Sequence, residues 1–144
     1  MKKLLQLIKE ARFVWVMGNG GSAATAEHFT NDLFSKGIKA ICLNSNTSIM
    51  TMIANDFEYK DVFRRQIKLF ATDEDLLVVI SGSGNSENII RALQSSPCTT
   101  FALLGRGGGK AKNFTDYSLT ARSNDYGKIE NWHLELVHKV KEAL

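Results

Sequence analysis

Two kinds of apolar pattern alternate along this chain. Short uninterrupted apolar runs occupy residues 13–17 (FVWVM), 39–43 (KAICL), 76–80 (LLVVI) and 99–104 (TTFALL), with a shorter one at 116–120. Runs of strand length that are apolar throughout predict strands buried on both faces, as in a parallel sheet covered by helices. Between them, apolar residues recur every third or fourth position. That period predicts helices over 3–11, 22–33, 47–55, 59–70, 85–94 and 128–144, with Asp56 at the joint between the third and fourth. Pro97, the only proline, follows Ser95-Ser96 and ends the helix before it. Strands alternating with such helices give an α/β three-layer fold with right-handed crossovers. There is no internal repeat, low-complexity tract or linker, so residues 1–144 read as a single domain, opened by a short helix within residues 1–11.

Composition narrows the class. A net charge of +3 with no basic stripe argues against a nucleic-acid partner. The first eighteen residues mix basic and apolar side chains, but Lys9, Glu10 and Arg12 interrupt them, so they form neither a secretory signal nor a membrane span. Cys42 and Cys98 lie in or beside apolar runs and read as buried free thiols, the pattern of a cytoplasmic protein.

Candidate chemistry begins where two of the strands end. Gly18-Asn19-Gly20-Gly21-Ser22 follows the first, and Ser81-Gly82-Ser83-Gly84-Asn85-Ser86 follows the third. In parallel sheets, ligands bind beyond the carboxyl ends of strands. Glycine allows close backbone approach, a helix N-terminus offers unpaired N–H groups, and serine adds hydroxyl donors. Together they suit a phosphate, whose oxygens only accept hydrogen bonds. The first elbow lacks the glycine spacing of a dinucleotide fingerprint. Residues 105–111 (GRGGGKA) imitate a Walker loop, but Leu104 stands where its first glycine belongs and Ala111 where Ser or Thr belongs. No nucleotide cofactor is therefore expected.

Two helices carry titratable groups. His28 and Asp32 are four residues apart and so share a face. On the last helix, Ile129, Trp132, Leu136, Val137, Val140 and Leu144 form an apolar face, and His133 projects within it, as a packed histidine would. Glu130, Leu134 and His138 make a separate stripe along the margin. A His/Asp pair and a Glu/His pair that met over one ligand could exchange protons beside a carbonyl. The same four side chains, His28, Asp32, Glu130 and His138, also suit a divalent metal, zinc first among them.

Five segments in order, GNGGSAATAEHFTNDL, IANDFEYKDVF, ISGSGNSENII, GRGGGKA and IENWHLELVH, resemble the motifs of the phosphoheptose isomerases, enzymes of the sugar isomerase (SIS) domain family. The resemblance covers residue 13 to the C-terminus. It implies a flavodoxin-like three-layer sandwich with a five-stranded parallel sheet, and homo-oligomers whose subunits share active sites. It also implies isomerisation of sedoheptulose 7-phosphate to glycero-manno-heptose 7-phosphate through an enediol, a step of heptose biosynthesis. Carried over residue by residue, it gives Ser81, Gly82, Ser83 and Ser86 to the phosphate. Asn19, Gly20, Gly21 and Ser22 go to the sugar, with Asn55, Asp56 and Glu130 completing the pocket. His138 falls on the catalytic histidine, and His28 on a position that binds zinc in some members. Asp32 stands in the place of the catalytic carboxylate.

Three departures stand out. The family usually has Glu where this chain has Asp32, and Gln where it has Glu130. Asp32 is shorter by one carbon–carbon bond, about 1.5 Å, while Glu130 adds a charge; the pair of changes makes the ligand set richer for a divalent metal. The family also places a longer helical region before the first strand, so a dimer or a differently packed tetramer is open. A second expectation is a non-catalytic SIS protein, either binding a replication initiator or sensing a sugar phosphate. The retained His138 favours the enzyme.

Overall fold

The structure, a computed structural model, describes residues 1–144. Its frame is a five-stranded parallel sheet in the order β2-β1-β3-β4-β5. The strands are β1 (Val14–Gly18), β2 (Ala40–Cys42), β3 (Leu76–Ser81), β4 (Thr99–Leu104) and β5 (Tyr117–Thr120). The helices are α1 (Lys2–Glu10), α2 (Gly21–Ser35), α3 (Thr47–Asp56), α4 (Val62–Phe70), α5 (Glu87–Ser95) and α6 (Tyr126–Ala143). This is the doubly wound order of flavodoxin-like folds, with the reversal in strand order between β1 and β3.

The strand pleat divides the core into two layers. Val14, Val16, Leu76, Val78, Ile80, Phe101 and Leu103 face α1, α2 and α6, where Leu4, Phe29, Leu33, Val137 and Val140 meet them. Trp15, Met17, Leu77, Val79, Ala102 and Leu104 face α3, α4 and α5, against Ile53, Phe63, Ile67, Ile89 and Leu93. Burial on both faces therefore holds for β1, β3 and β4. It fails at the edges, where β2 has only three residues with Ile41 exposed and β5 is only partly covered. The helices cover the middle of the sheet and leave its margins open.

Local chemistry sets the helix ends. Asn46 caps α3 by accepting from Ile49 N (3.0 Å), and Asp125 caps α6 by accepting from Lys128 N (2.9 Å), so α6 starts two residues earlier than its apolar period suggests. The helix predicted over 59–70 is instead a 3₁₀ turn, Tyr59–Asp61, followed by α4. Asp61 sits at the join, where its carboxylate takes Arg64 Nε at 2.7 Å and Arg91 Nη1 at 3.2 Å. The Arg64 bond foremost, with Arg91 adding to it against the effect of burial, holds the Asp61 carboxyl below its usual range. No helix is long and apolar enough to cross a membrane.

His133 is fully buried, and its Nε2 lies 3.2 Å from Leu104 O at the end of β4. Nε2–H therefore donates to the carbonyl, and Nδ1 is buried without a partner. Burial pushes the imidazole pKa down, partly offset by the Leu104 bond. A depressed folded pKa means that the unfolded chain takes up a proton the fold refuses, so this contribution to stability is present above about pH 6.5 and declines as pH falls below it. Urea unfolding at pH 7.5 and 5.5 should show a smaller loss of stability in His133→Gln, which keeps a donor for Leu104, than in the parent chain. Equal losses would count against the assignment.

Candidate functional site

The β1–β3 register, Val14↔Leu76 through Gly18↔Ile80, ends both strands side by side. The two glycine-rich elbows therefore open onto one cavity at the switch point. Its volume is about 250 Å³, and it is lined by Asn19, Gly20, Gly21, Ser22, Ser81, Gly82, Ser83, Ser86, Tyr126 and Glu130. Larger apolar cavities, about 560 and 480 Å³, lie along α3 and α4, but they carry little of the chemistry singled out in the sequence.

The serine loop is arranged to donate outward. Ser81 Oγ accepts from Gly84 N (3.1 Å) and Ser83 Oγ from Asn85 N (3.1 Å), which leaves each hydroxyl proton free for an acceptor in the cavity. Ser86 occupies the N-cap of α5, yet its side chain makes no cap bond. Gly84 has φ +63°, and a Cβ there would collide with Gly108 O. The loop of residues 105–110 thus packs backbone to backbone on the serine loop, aided by Ala111 N donating to Gly84 O (2.8 Å) and Lys110 N to Asn85 Oδ1 (3.0 Å). This accounts for Gly105 and Gly109, which approach the Gly82 and Ser83 carbonyls, whereas Gly107 faces open space and has a positive φ.

The first elbow is pinned to α5. Asn19 and Asn88 exchange amide hydrogen bonds, each 2.9 Å, and Tyr59 OH donates to Asn19 Oδ1 at 3.1 Å. Glu130 lies against Gly21, where any Cβ would overlap its carboxylate. The cavity lining contains that carboxylate and no Lys or Arg.

A second group of side chains forms where α2 meets α6. His28 Nε2 and His138 Nε2 are 2.8 Å apart, and Asp32 Oδ2 lies 3.4 Å from His28 Nε2. One ligand atom from each of these three residues falls within 4.8 Å of the others. Asp32 is 1% exposed; Oδ1 accepts from Lys141 Nζ at 2.6 Å, and Oδ2 is buried without a hydrogen-bond partner. His28, Asp32 and His138 therefore come together within one chain. Glu130 does not join them, because it lies two turns earlier on α6, in the cavity. Asn55 and Asp56 lie outside the cavity lining, exposed at the end of α3 and bonded to each other at 2.8 Å.

Three residues escaped the sequence reading. Tyr126 and Lys141 extend the stripe of Glu130, Leu134 and His138 at helical spacing in both directions, a signal that was available. Nothing in the pattern separated Asn88 from an ordinary helix-surface amide. Neither cysteine lines the cavity, and burial pushes both the Cys42 and Cys98 thiols up.

A parallel sheet with a hydroxyl- and glycine-lined cavity at its switch point defines the class, and comparison with known proteins defines the family. The profile described as SIS domain matches residues 1–98. The chain belongs to the SIS domain family. It is 41% identical to a phosphoheptose isomerase of Geobacter sulfurreducens, over 90% of this chain and 73% of that protein. With the phosphoheptose isomerase of Trichlorobacter lovleyi it shares 38% identity, over 95% of this chain and 74% of the relative. Among solved structures, the phosphoheptose isomerase of Neisseria gonorrhoeae superposes with a TM-score of 0.92 at 32% identity, covering 99% of this chain and 80% of that one.

Gly84→Ala tests the loop packing. Positive φ and the Gly108 carbonyl both oppose a methyl group, so the substitution should cost more than about 2 kcal/mol. The urea midpoint measures it; an unchanged midpoint would show that the two loops do not touch.

Proposed function

We propose that this chain is a ketose–aldose isomerase that converts sedoheptulose 7-phosphate to D-glycero-D-manno-heptose 7-phosphate. The observation that carries the reading is one α6 stripe joining a hydroxyl-lined cavity to a carboxylate–imidazole cluster, in a chain about two-fifths identical to phosphoheptose isomerases. Ser81, Gly82, Ser83 and Ser86 bind the phosphate. Asn19, Gly20, Gly21, Ser22 and Glu130 bind sugar hydroxyls, and Asn55 and Asp56, outside the lining in the single chain, complete the pocket.

Asp32 takes a proton from C1 of the ketose, and the freed electron pair forms the C1–C2 double bond while His138 protonates the C2 oxygen. Return of the proton to C2 and loss of the C1 hydroxyl proton complete the aldose. The short reach of Asp32 is met by the Lys141 ion pair, which fixes its orientation.

Within one chain the cavity and cluster are far apart. Glu130 and His138 are separated by about 12 Å of helix. The carbon chain of an open heptose spans at most about 9 Å. We therefore assign the cluster serving each cavity to a neighbouring copy in a homo-oligomer. Phe34, 77% exposed on the same helix as His28 and Asp32, supplies apolar surface for that contact.

The unpartnered Asp32 Oδ2 and the converging imidazole nitrogens fit a divalent ion. His28, Asp32 and His138 would hold zinc, with Glu130 of the neighbour as a fourth ligand, and the ion would supply Lewis-acid stabilisation of the enediolate oxygens. Buried free thiols suit a cytoplasmic setting.

Turnover of sedoheptulose 7-phosphate by the purified chain is the direct test, and no turnover would overturn the reading. Asp32→Asn should abolish turnover while leaving sugar-phosphate binding within about twofold by calorimetry; full activity would remove Asp32 as the base. Metal analysis of protein purified without chelator should find close to one zinc per chain, and none would dismiss the metal.

A further inference from the structure

The side chains that line the cavity supply no positive charge; the N-terminus of α5 adds only a partial one. A phosphate ester is close to a dianion at neutral pH. The lining offers hydroxyls and glycine backbone but no cation, and it contains the Glu130 carboxylate. Bringing a dianion beside a carboxylate is unfavourable unless positive charge stands near.

A positive charge is tied to the lining through Arg106. Its Nη1 donates to Tyr126 OH at 3.2 Å, and its guanidinium carbon lies 5.1 Å from the centre of the Tyr126 ring. Tyr126 itself forms a wall of the cavity: a Cβ on Gly82 would come within 3.0 Å of its Cδ1. Because the phenol oxygen accepts from Arg106, its own proton remains free to donate, and the guanidinium polarises that donor.

Arg106 is also the only non-glycine residue with positive φ, at 48°. That conformation is strained for a residue with a Cβ. It occurs in the loop that packs backbone to backbone on the serine loop, and Arg106 N donates to Ser123 O at 3.2 Å. The chain thus tolerates strain where the strain carries a guanidinium to the cavity wall. A glycine there would avoid the strain and lose the charge.

We propose that Tyr126 and Arg106 form a clamp on the phosphate: Tyr126 OH donates to a phosphate oxygen, and Arg106, acting through and beside it, is the positioning residue that supplies the missing charge. The proposal rests on the isomerase reading and deepens it by assigning recognition of the phosphate charge. It also makes the chain selective for phosphorylated over free sugars through a residue outside the serine loop.

Steady-state kinetics with sedoheptulose 7-phosphate test it. Arg106→Gln should raise KM about tenfold with kcat within about twofold, the signature of lost uniform binding. Arg106→Lys should restore KM to within about threefold, and Tyr126→Phe should raise it about fivefold. The double variant should be little worse than Arg106→Gln, because the two side chains act as a unit. Arg106→Gly separates the clamp from a structural role: relief of the strained φ should raise the melting temperature while KM still rises.

A KM for Arg106→Gln within twofold of the parent, with parent turnover saturating normally, would overturn the clamp and leave the isomerase reading standing. A fall in kcat at unchanged KM would overturn it equally. If the parent chain neither turns over nor binds sedoheptulose 7-phosphate, the isomerase reading fails first and takes the clamp with it.

Discussion

The pairing of β1 with β3 is the constraint on which the rest of the molecule depends. Both strands are apolar on both faces, so each is held by helices above and below and neither can slip by one residue without turning a core side chain to the wrong layer. Their register fixes the relative height of Gly18 and Ser81, and hence of the two elbows. Everything polar at the cavity is placed by these apolar contacts. The reciprocal amide bonds of Asn19 and Asn88 then lock what the sheet has already aligned.

A second level of organisation comes from α6. Its apolar face docks on α1, α2 and the sheet, while its margin carries a row of polar and titratable side chains from Tyr126 to Lys141. One helix thereby carries both a wall of the cavity and half of the His28–Asp32–His138 cluster, at opposite ends. The buried His133 bond to Leu104 ties this helix to the end of β4 and sets its height along the sheet.

Much of this was legible in the amino-acid pattern because the signals were strong and local. Continuous apolar runs marked the three central strands. The elbows were visible because no bulky residue interrupts Ser81 to Ser86, and the His28/Asp32 pair because four residues is one helical turn. Other features needed tertiary information. Glu130 and His138 look like one set on a wheel, yet eight residues of rise keep them apart. The Gly105–Gly109 segment resembles a nucleotide loop, and only its contact with Gly82 and Ser83 shows that Gly105 and Gly109 serve close packing. Lys141 reads as a solvated lysine until α2 is folded against it.

That lysine has a consequence for the cluster at the α2–α6 contact. With both imidazoles neutral, one carboxylate and one ammonium leave the group balanced in charge before any ion arrives. A dication at Asp32 Oδ2 would therefore share its carboxylate with a tethered cation that already holds Oδ1. The attraction it feels is weakened by the neighbouring ammonium, so ligand count alone does not set its occupancy.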